Sequence, residues 1–300
     1  MNISAYVPRK IVRSRSLISL YDATREDIFE YLYLARDFKR RKSVGEKNLC
    51  LTDKYVGLIS KPSYIRSRTA FQIAATDLGA STVFISLDGQ GIYDALHDRD
   101  VIRNLGEYGV SALVVDTAFF NDAETIENRS DMPIINANVK SSPCQTLAAL
   151  LTVWENAGKL QGVNLTYIGN ANESENSLLA AAAKCGMNIC IVSPKECFPD
   201  SRLVDYCSQF CFVNVCDGLE DGLRGADVIY VSENDFPPEF TLTEAKLQHA
   251  RRDAIVLHSV PLKRDKGIDD EVADGAASKI SEQSANFVPV LKSALYFTAK

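Results

Sequence analysis

Residues 59–71 read ISKPSYIRSRTAF, an apolar run of strand character that gives way to the start of a helix. Unpaired backbone N–H groups and the positive end of the peptide dipoles converge at a helix N-terminus, so hydroxyls and guanidinium groups placed there can hold a phosphate. Ser63, Arg66, Ser67 and Arg68 supply such groups. The two arginines are two positions apart and therefore diverge on a helix, so that one can face an anion while the other ties down structure. The same spacing also describes an ordinary charged helix start on the surface, and a motif this short does not choose between the two.

Three further segments could carry chemistry. SSPCQ places Ser142 and Gln145 around Pro143 at the head of an apolar helical stretch. HSVPL, residues 258–262, sets a histidine at a strand end, where it can act on a ligand directly or simply hydrogen-bond the loop in place. VSENDFPPEF contains Ser232 and the carboxylates Glu233, Asp235 and Glu239, which suit a cationic ligand, although such acidic loops are more often merely solvated.

The elements that must position these residues alternate. From residue 54 onward short apolar runs predict strands at 55–60, 82–87, 111–116 and near 133–136, with Ala70, Phe71, Ala74 and Leu78 on one face of a helix that Gly79 ends. Pro143 to Ala157 predicts a buried helix opened by proline. The alternation then restarts, with strands expected at 163–168, 188–193, near 210–215, 227–231 and 254–258, a helix over 174–185, and a last helix over 285–297 despite Pro289. Alternating strands and helices of this kind build parallel sheets covered by helices. The expected fold is α/β with two domains, each a parallel sheet flanked by helices, joined by buried connecting helices. The expected boundaries are 1–145 plus 286–300, and 146–285.

Composition narrows the partners. Three hundred residues at 46% hydrophobic content exceed one ordinary domain, and a net charge of −6 provides no basic footprint for nucleic acid. No apolar run reaches the ~20 residues of a membrane span. Four basic residues precede the first acidic one, Asp22, which suggests a disordered or surface-bound basic arm in preference to an organellar leader. The eight cysteines lack Cys-x-x-Cys spacing, so neither metal nor cofactor is expected, and reduced thiols imply a cytoplasmic setting. The turn GNANESENS after the strand at 163–168 lacks the Gly-x-Gly-x-x-Gly that a dinucleotide requires.

KPSYIRSRTAFQIAATDLGAS resembles the Ser-Thr-Arg-Thr-Arg turn of the aspartate and ornithine carbamoyltransferases with one residue inserted after the proline. SSPCQTLAALL resembles the family's His-Pro-x-Gln helix, with Ser142 in place of the histidine. LHSVPL resembles its His-Cys-Leu-Pro loop, matching at His258, Val260 and Pro261, and SLISLYDATREDIFEYLYLA is similar to its opening helix. The resemblance runs from about residue 17 to the C-terminus and leans to the ornithine branch. It implies carbamoyl phosphate as one substrate, held by Ser63, Arg66, Ser67, Arg68 and Gln145, with Ser142, Gln145, His258, Val260 and Pro261 around the carbamoyl group. It also implies an amine acceptor near Asn172, Ser232 and Glu233, and a homotrimer in which the loop at 88–99, carrying Arg99, enters a neighbouring site.

The chain departs from the family at charged positions. Asp116 stands where the family has an arginine at the end of the third strand, and the late C-terminal arginine has no counterpart. Neither acceptor signature, the ornithine or the aspartate form, occurs in YVSENDFPPEF. Two functions remain open on these residues: transfer of a carbamoyl group to an unidentified amino-acid-like amine, or a catalytically inactive homologue acting as a ligand-binding or structural subunit.

Overall fold

The computed structural model describes residues 3–87, 98–117, 122–129, 131–137, 143–171, 176–258, 261–264 and 266–300. The chain divides into two compact units, one of Pro8–Leu147 with Asn286–Lys300 (unit N) and one of Met1–Val7 with Ala148–Ala285 (unit C).

Unit N is built on four parallel strands, β1 (Tyr55–Ser60), β2 (Ser81–Ser86), β3 (Val110–Asp116) and β4 (Ile134–Asn136), in the order β2-β1-β3-β4. The aliphatic run of β3 is buried along almost its whole length, as a parallel strand covered on both faces should be. Helix α1 (Arg25–Ser43) starts at a capping box in which the Thr24 hydroxyl accepts from the Asp27 N–H while the Asp27 carboxylate accepts from the Thr24 N–H. It buries Ile28, Leu32 and Ala35 on one face. Helix α2 (Ile65–Asp77) buries Phe71, Ala74 and Ala75, and Gly79 turns the chain at a φ of 87° that suits only glycine. Helices α3 (Arg99–Glu107) and α4 (Asp122–Arg129) lie outside the elements read from sequence. Arg99, expected in a loop, is the first residue of α3 behind the Asp98 cap.

The N-terminal arm lies against unit N through its backbone. The N–H groups of Arg9 and Lys10 donate to the two oxygens of Glu30 at 2.6 and 2.8 Å, and the Arg13 N–H donates to Asp27. Leu17 bridges to β4 by exchanging hydrogen bonds with Ile134 and Asn136. Acidic side chains of α1 therefore hold the arm by its peptide groups.

Unit C carries five parallel strands, β5 (Asn164–Ile168), β6 (Asn188–Val192), β7 (Val213–Cys216), β8 (Val228–Val231) and β9 (Ile255–His258), in the order β7-β6-β5-β8-β9. Around them lie α5 (Pro143–Ala157), which begins in unit N, then α6 (Asn176–Lys184), α7 (Ser201–Ser208) and α8 (Leu219–Leu223). The short helices α9 (Glu244–Leu247) and α10 (Asp270–Ala273) follow. Ile168, Val192, Ile229, Val231, Val256 and Val272 belong to one buried cluster.

The last helix, α11 (Ile280–Ala299), begins in unit C and ends in unit N, and is longer than its sequence suggested. Its unit N portion buries Phe287, Val290, Leu291, Ala294 and Leu295. It is tied to α1 by a hydrogen bond from the Ser293 hydroxyl to Tyr31 O and by the Tyr31–Phe297 edge contact. Lys292, almost fully buried, pairs with Asp77 of α2 at 2.6 Å. Among the described residues no helix is long and apolar enough to cross a membrane.

Candidate functional site

In an open parallel sheet the crevice for ligands forms at the carboxyl ends of the strands where the strand order reverses. In unit N that point lies between β1 and β3, whose last residues, Ser60 and Asp116, are register partners. The chain leaves β1 through a turn closed by the Tyr64 N–H on Lys61 O and enters α2 at Tyr64, which supplies no side-chain cap. The first N–H groups of a helix have no partner inside it, so this uncapped end presents donors at the mouth of the sheet.

The structure gathers the expected phosphate residues on this turn and separates their roles. Ser63 is exposed on the turn itself, and Arg66 and Arg68 diverge. The Arg66 guanidinium lies 5.5 Å from the centre of the Phe287 ring, and that of Arg68 lies 5.1 Å from Phe84 of β2. Ser67 is buried, and its hydroxyl donates a short hydrogen bond to Asp116 Oδ2. The Ser60 hydroxyl adds a longer contact to the same oxygen, at 3.4 Å. Gln145 is half-buried on the first turn of α5, two residues after Pro143. Ser142 lies outside the described residues.

Asp116 is the unusual group. It is 0% exposed, and its second oxygen, Oδ1, has no hydrogen-bond partner among the described residues. Burial raises its carboxyl to about 6, against the hydrogen bonds from Ser67 and Ser60 and the nearby Arg66 charge, all of which favour the ionised form. The end of β3 is thus a carboxylate fed by two hydroxyls, and Ser67 already spends its proton there. Sequence reasoning found Asp116 and Ser67 separately but passed over Ser60. Counting the parallel register back from Asp116 would have paired it.

Unit C has a second mouth where its order reverses, between β5 and β8. Gly169 follows β5 and Ser232 follows β8, and a Cβ on Gly169 would come within 2.6 Å of the Ser232 Cβ, so glycine lets the two strand ends approach. Ser232 is buried and its carbonyl accepts from the Asn234 side chain at 2.8 Å. Glu233 pairs with Lys263 at 2.7 Å and Asp235 with Lys266, so two of the three carboxylates expected to suit a cationic ligand are neutralised within the chain. The Lys246 ammonium pins the same loop by donating to the carbonyls of Pro238, Glu239 and Thr241.

His258 ends β9, beside β8, with Val231 as its register partner. It is fully buried, and its backbone N–H and C=O are both engaged by the side-chain amide of Gln283, at 3.4 and 3.0 Å. Gln283 was not anticipated, and no local sequence signal marks it. Pro261 is exposed, while Val260 and Asn172 lie outside the described residues.

Residues 15–155 match the sequence model of the carbamoyl-P binding domain of aspartate/ornithine carbamoyltransferase, and residues 161–298 match that of its Asp/Orn binding domain. The chain is 30% identical to ornithine carbamoyltransferase of Anoxybacillus flavithermus, over 98% of this chain and 99% of that one. Among solved structures, ornithine carbamoyltransferase from Gloeobacter violaceus superposes with a TM-score of 0.84 at 29% identity, covering 97% of this chain and 100% of that one. The enzyme from Pyrococcus furiosus superposes at 0.87 with 24% identity, covering 96% and 98%, and supports the fold. So does aspartate transcarbamoylase from Trypanosoma cruzi in complex with carbamoyl phosphate, at 0.84 and 21% identity over 99% and 100%.

Proposed function

Because the chain belongs to the aspartate/ornithine carbamoyltransferase family, we propose that it is a transferase moving the carbamoyl group of carbamoyl phosphate to the amine of an amino-acid-like acceptor. The observation that carries this reading is the uncapped start of α2, with Ser63, Arg66, Ser67 and Arg68, at the switch point of the unit whose sequence matches the carbamoyl-P binding domain. Phosphate would bind on this turn, with the first N–H groups of α2 and the Arg66 fork as donors. Ser142, Gln145 and the loop from His258 to Pro261 would hold the carbamoyl group, and the mouth at Asn172, Ser232 and Glu233 would receive the acceptor.

The chemistry asks for alignment and charge stabilisation. A neutral amine attacks the carbonyl carbon, forming the C–N bond and a tetrahedral oxyanion that then collapses. The C–O bond to phosphate breaks, and the amine proton passes to the departing phosphate. One oxyanion donor is typically worth ~3–4 kcal/mol in such a step. A serine at position 142 donates one neutral hydrogen bond where an imidazole could also carry charge. The same reading takes the working protein as a homotrimer, and as cytoplasmic in keeping with cysteines that form no disulfide.

One observation favours a second reading, that of an inactive homologue serving as a ligand-binding or structural subunit. Asp116 places an acid where the family places an arginine, and it claims the Ser67 hydroxyl. Calorimetric titration of the folded protein with carbamoyl phosphate separates the two. Binding that weakens at least about tenfold in Arg66→Ala, followed by phosphate release with one amine of an acceptor screen, is the expected result. A folded protein that shows no heat of binding at roughly millimolar carbamoyl phosphate would leave only the second reading.

A further inference from the structure

The Asp116 carboxylate is hydrogen-bonded to Ser67 of the turn on which the proposed function puts phosphate, and two like charges in a dry site oppose each other strongly. The structure contains the means to remove the conflict. Oδ2 already accepts from Ser67 and Ser60, whereas Oδ1 is buried and without a partner among the described residues. A proton on Oδ1 would neutralise the group, leave both hydroxyl contacts intact and give the end of β3 a donor aimed at an acceptor. A neutral carboxylic acid retains one O–H donor, which is what an anion needs in the absence of a cation.

We propose that this site takes up its anion and a proton together, with Asp116 as the proton carrier and specificity-determining residue in place of a fixed positive charge. The inference rests on the reading of the α2 turn as the phosphate site. The ligand class is a tetrahedral oxyanion bearing acceptor oxygens. Asp116 gains the proton from solvent as the anion arrives and returns it when the anion leaves, and no bond to the ligand is made.

Among the described residues, the surroundings of Asp116 support a single titration. From β1 it meets the neutral Ser60 hydroxyl, and from α2 the Ser67 hydroxyl and the Arg66 guanidinium. On β4, where Asn136 is the register partner of Val115, the neighbouring side chain is a neutral amide turned to Ile18 O. Arg66 is permanently charged, so Asp116 is the group in this set that changes charge near neutrality. Burial has already brought its carboxyl up to about 6, and an anion nearby moves it further in the same direction.

Sulfate is the probe, because its charge is constant where phosphate would itself titrate. Sulfate is titrated calorimetrically into the intact wild-type protein from about pH 5 to about pH 8, in pairs of buffers that differ in ionisation heat. The expected result is an apparent affinity that falls towards tenfold per pH unit above the titration of Asp116, with close to one proton taken up per sulfate near neutral pH. In Asp116→Asn the affinity should vary less than about threefold over the same range, with proton uptake near zero. A wild-type affinity that is flat with pH and carries no proton uptake overturns the proposal, and if Arg66→Ala still weakens sulfate the anion site itself survives. Absence of sulfate binding at every pH, in both folded wild type and Asp116→Asn, overturns the proposal and the phosphate site with it. The wild-type measurement decides the matter even if a variant fails to fold.

Discussion

Replacing Asp116 by asparagine should change the pH dependence of stability by a predictable amount. The carboxyl is raised from 3.8 to about 6 in the folded protein, so the native state holds this proton more tightly than the unfolded chain does. A group of this kind contributes stability that is fully present below its unfolded value and is lost as pH rises through its folded value. A displacement of roughly two units at ~1.4 kcal/mol each gives about 3 kcal/mol, lost between about pH 4 and about pH 6. Asparagine mimics the protonated form at every pH. Its second amide hydrogen could cost ~1–3 kcal/mol if unpaired, but that cost is independent of pH. The difference in unfolding free energy between wild type and Asp116→Asn should therefore swing by about 2.5 kcal/mol in favour of the variant between roughly pH 4 and pH 8. Urea unfolding at both pH values, followed by a probe in unit N, measures the swing directly. A difference that stays within ~0.5 kcal/mol across that range would refute the claim that burial, rather than its partners, dominates the environment of Asp116.

Three other outcomes follow from the geometry. Gln283→Leu removes both amide contacts to the His258 backbone in a fully buried setting, and should cost about 2–3 kcal/mol by denaturant unfolding; a loss below ~0.5 kcal/mol would mean that the loop after β9 is held by other groups. Glu30→Ala leaves the N–H groups of Arg9 and Lys10 without their acceptors. Limited trypsin digestion should then cut at Arg9, Lys10 or Arg13 at least about tenfold faster than in wild type, and unchanged cutting would argue against the clamp. Cys190 and Cys216 lie on neighbouring strands with their sulfurs 3.8 Å apart, and the hydrogen bond from Cys190 draws the Cys216 thiol down. A mild peroxide should join these two before the other thiols react, as read by non-reducing peptide mapping, and the bridged peptide should vanish in Cys216→Ser.

The sequence was most legible where burial is continuous along an element. The VSALVVD run could only be a covered strand, and Leu178 to Ala183 a helix buried all round, so β3 and α6 lie where pattern puts them. Helix α3 was missed because it is nine residues long and its apolar face is only Val101, Ile102 and Leu105, of which Ile102 alone is fully buried. The carboxylate at Asp116 stood out in the sequence, but its partners did not. Ser60 meets Asp116 only through the pairing of β1 with β3, and Glu233 and Asp235 meet Lys263 and Lys266 only after the chain has passed through β9. Local propensity contains no term for contacts made that far apart. For the same reason the acidic loop read as open to a cation, although lysines of the later loop had already claimed two of its carboxylates.

The path of α11 has a consequence for how the protein is made. Domains ordinarily fold in the order in which they leave the ribosome, the N-terminal one first. Unit N cannot follow that order, because Phe287, Val290, Leu291, Ala294 and Leu295 of its core, and the Lys292 that neutralises Asp77, are encoded after the whole of Ala148–Ala285. Ala148–Ala285 is synthesised while the unit begun before it still lacks its last helix. The earlier unit closes only once Asn286–Lys300 has emerged from the ribosome, and a premature stop near residue 285 would spare the later-made sheet while leaving the turn before α2 on an unfinished scaffold.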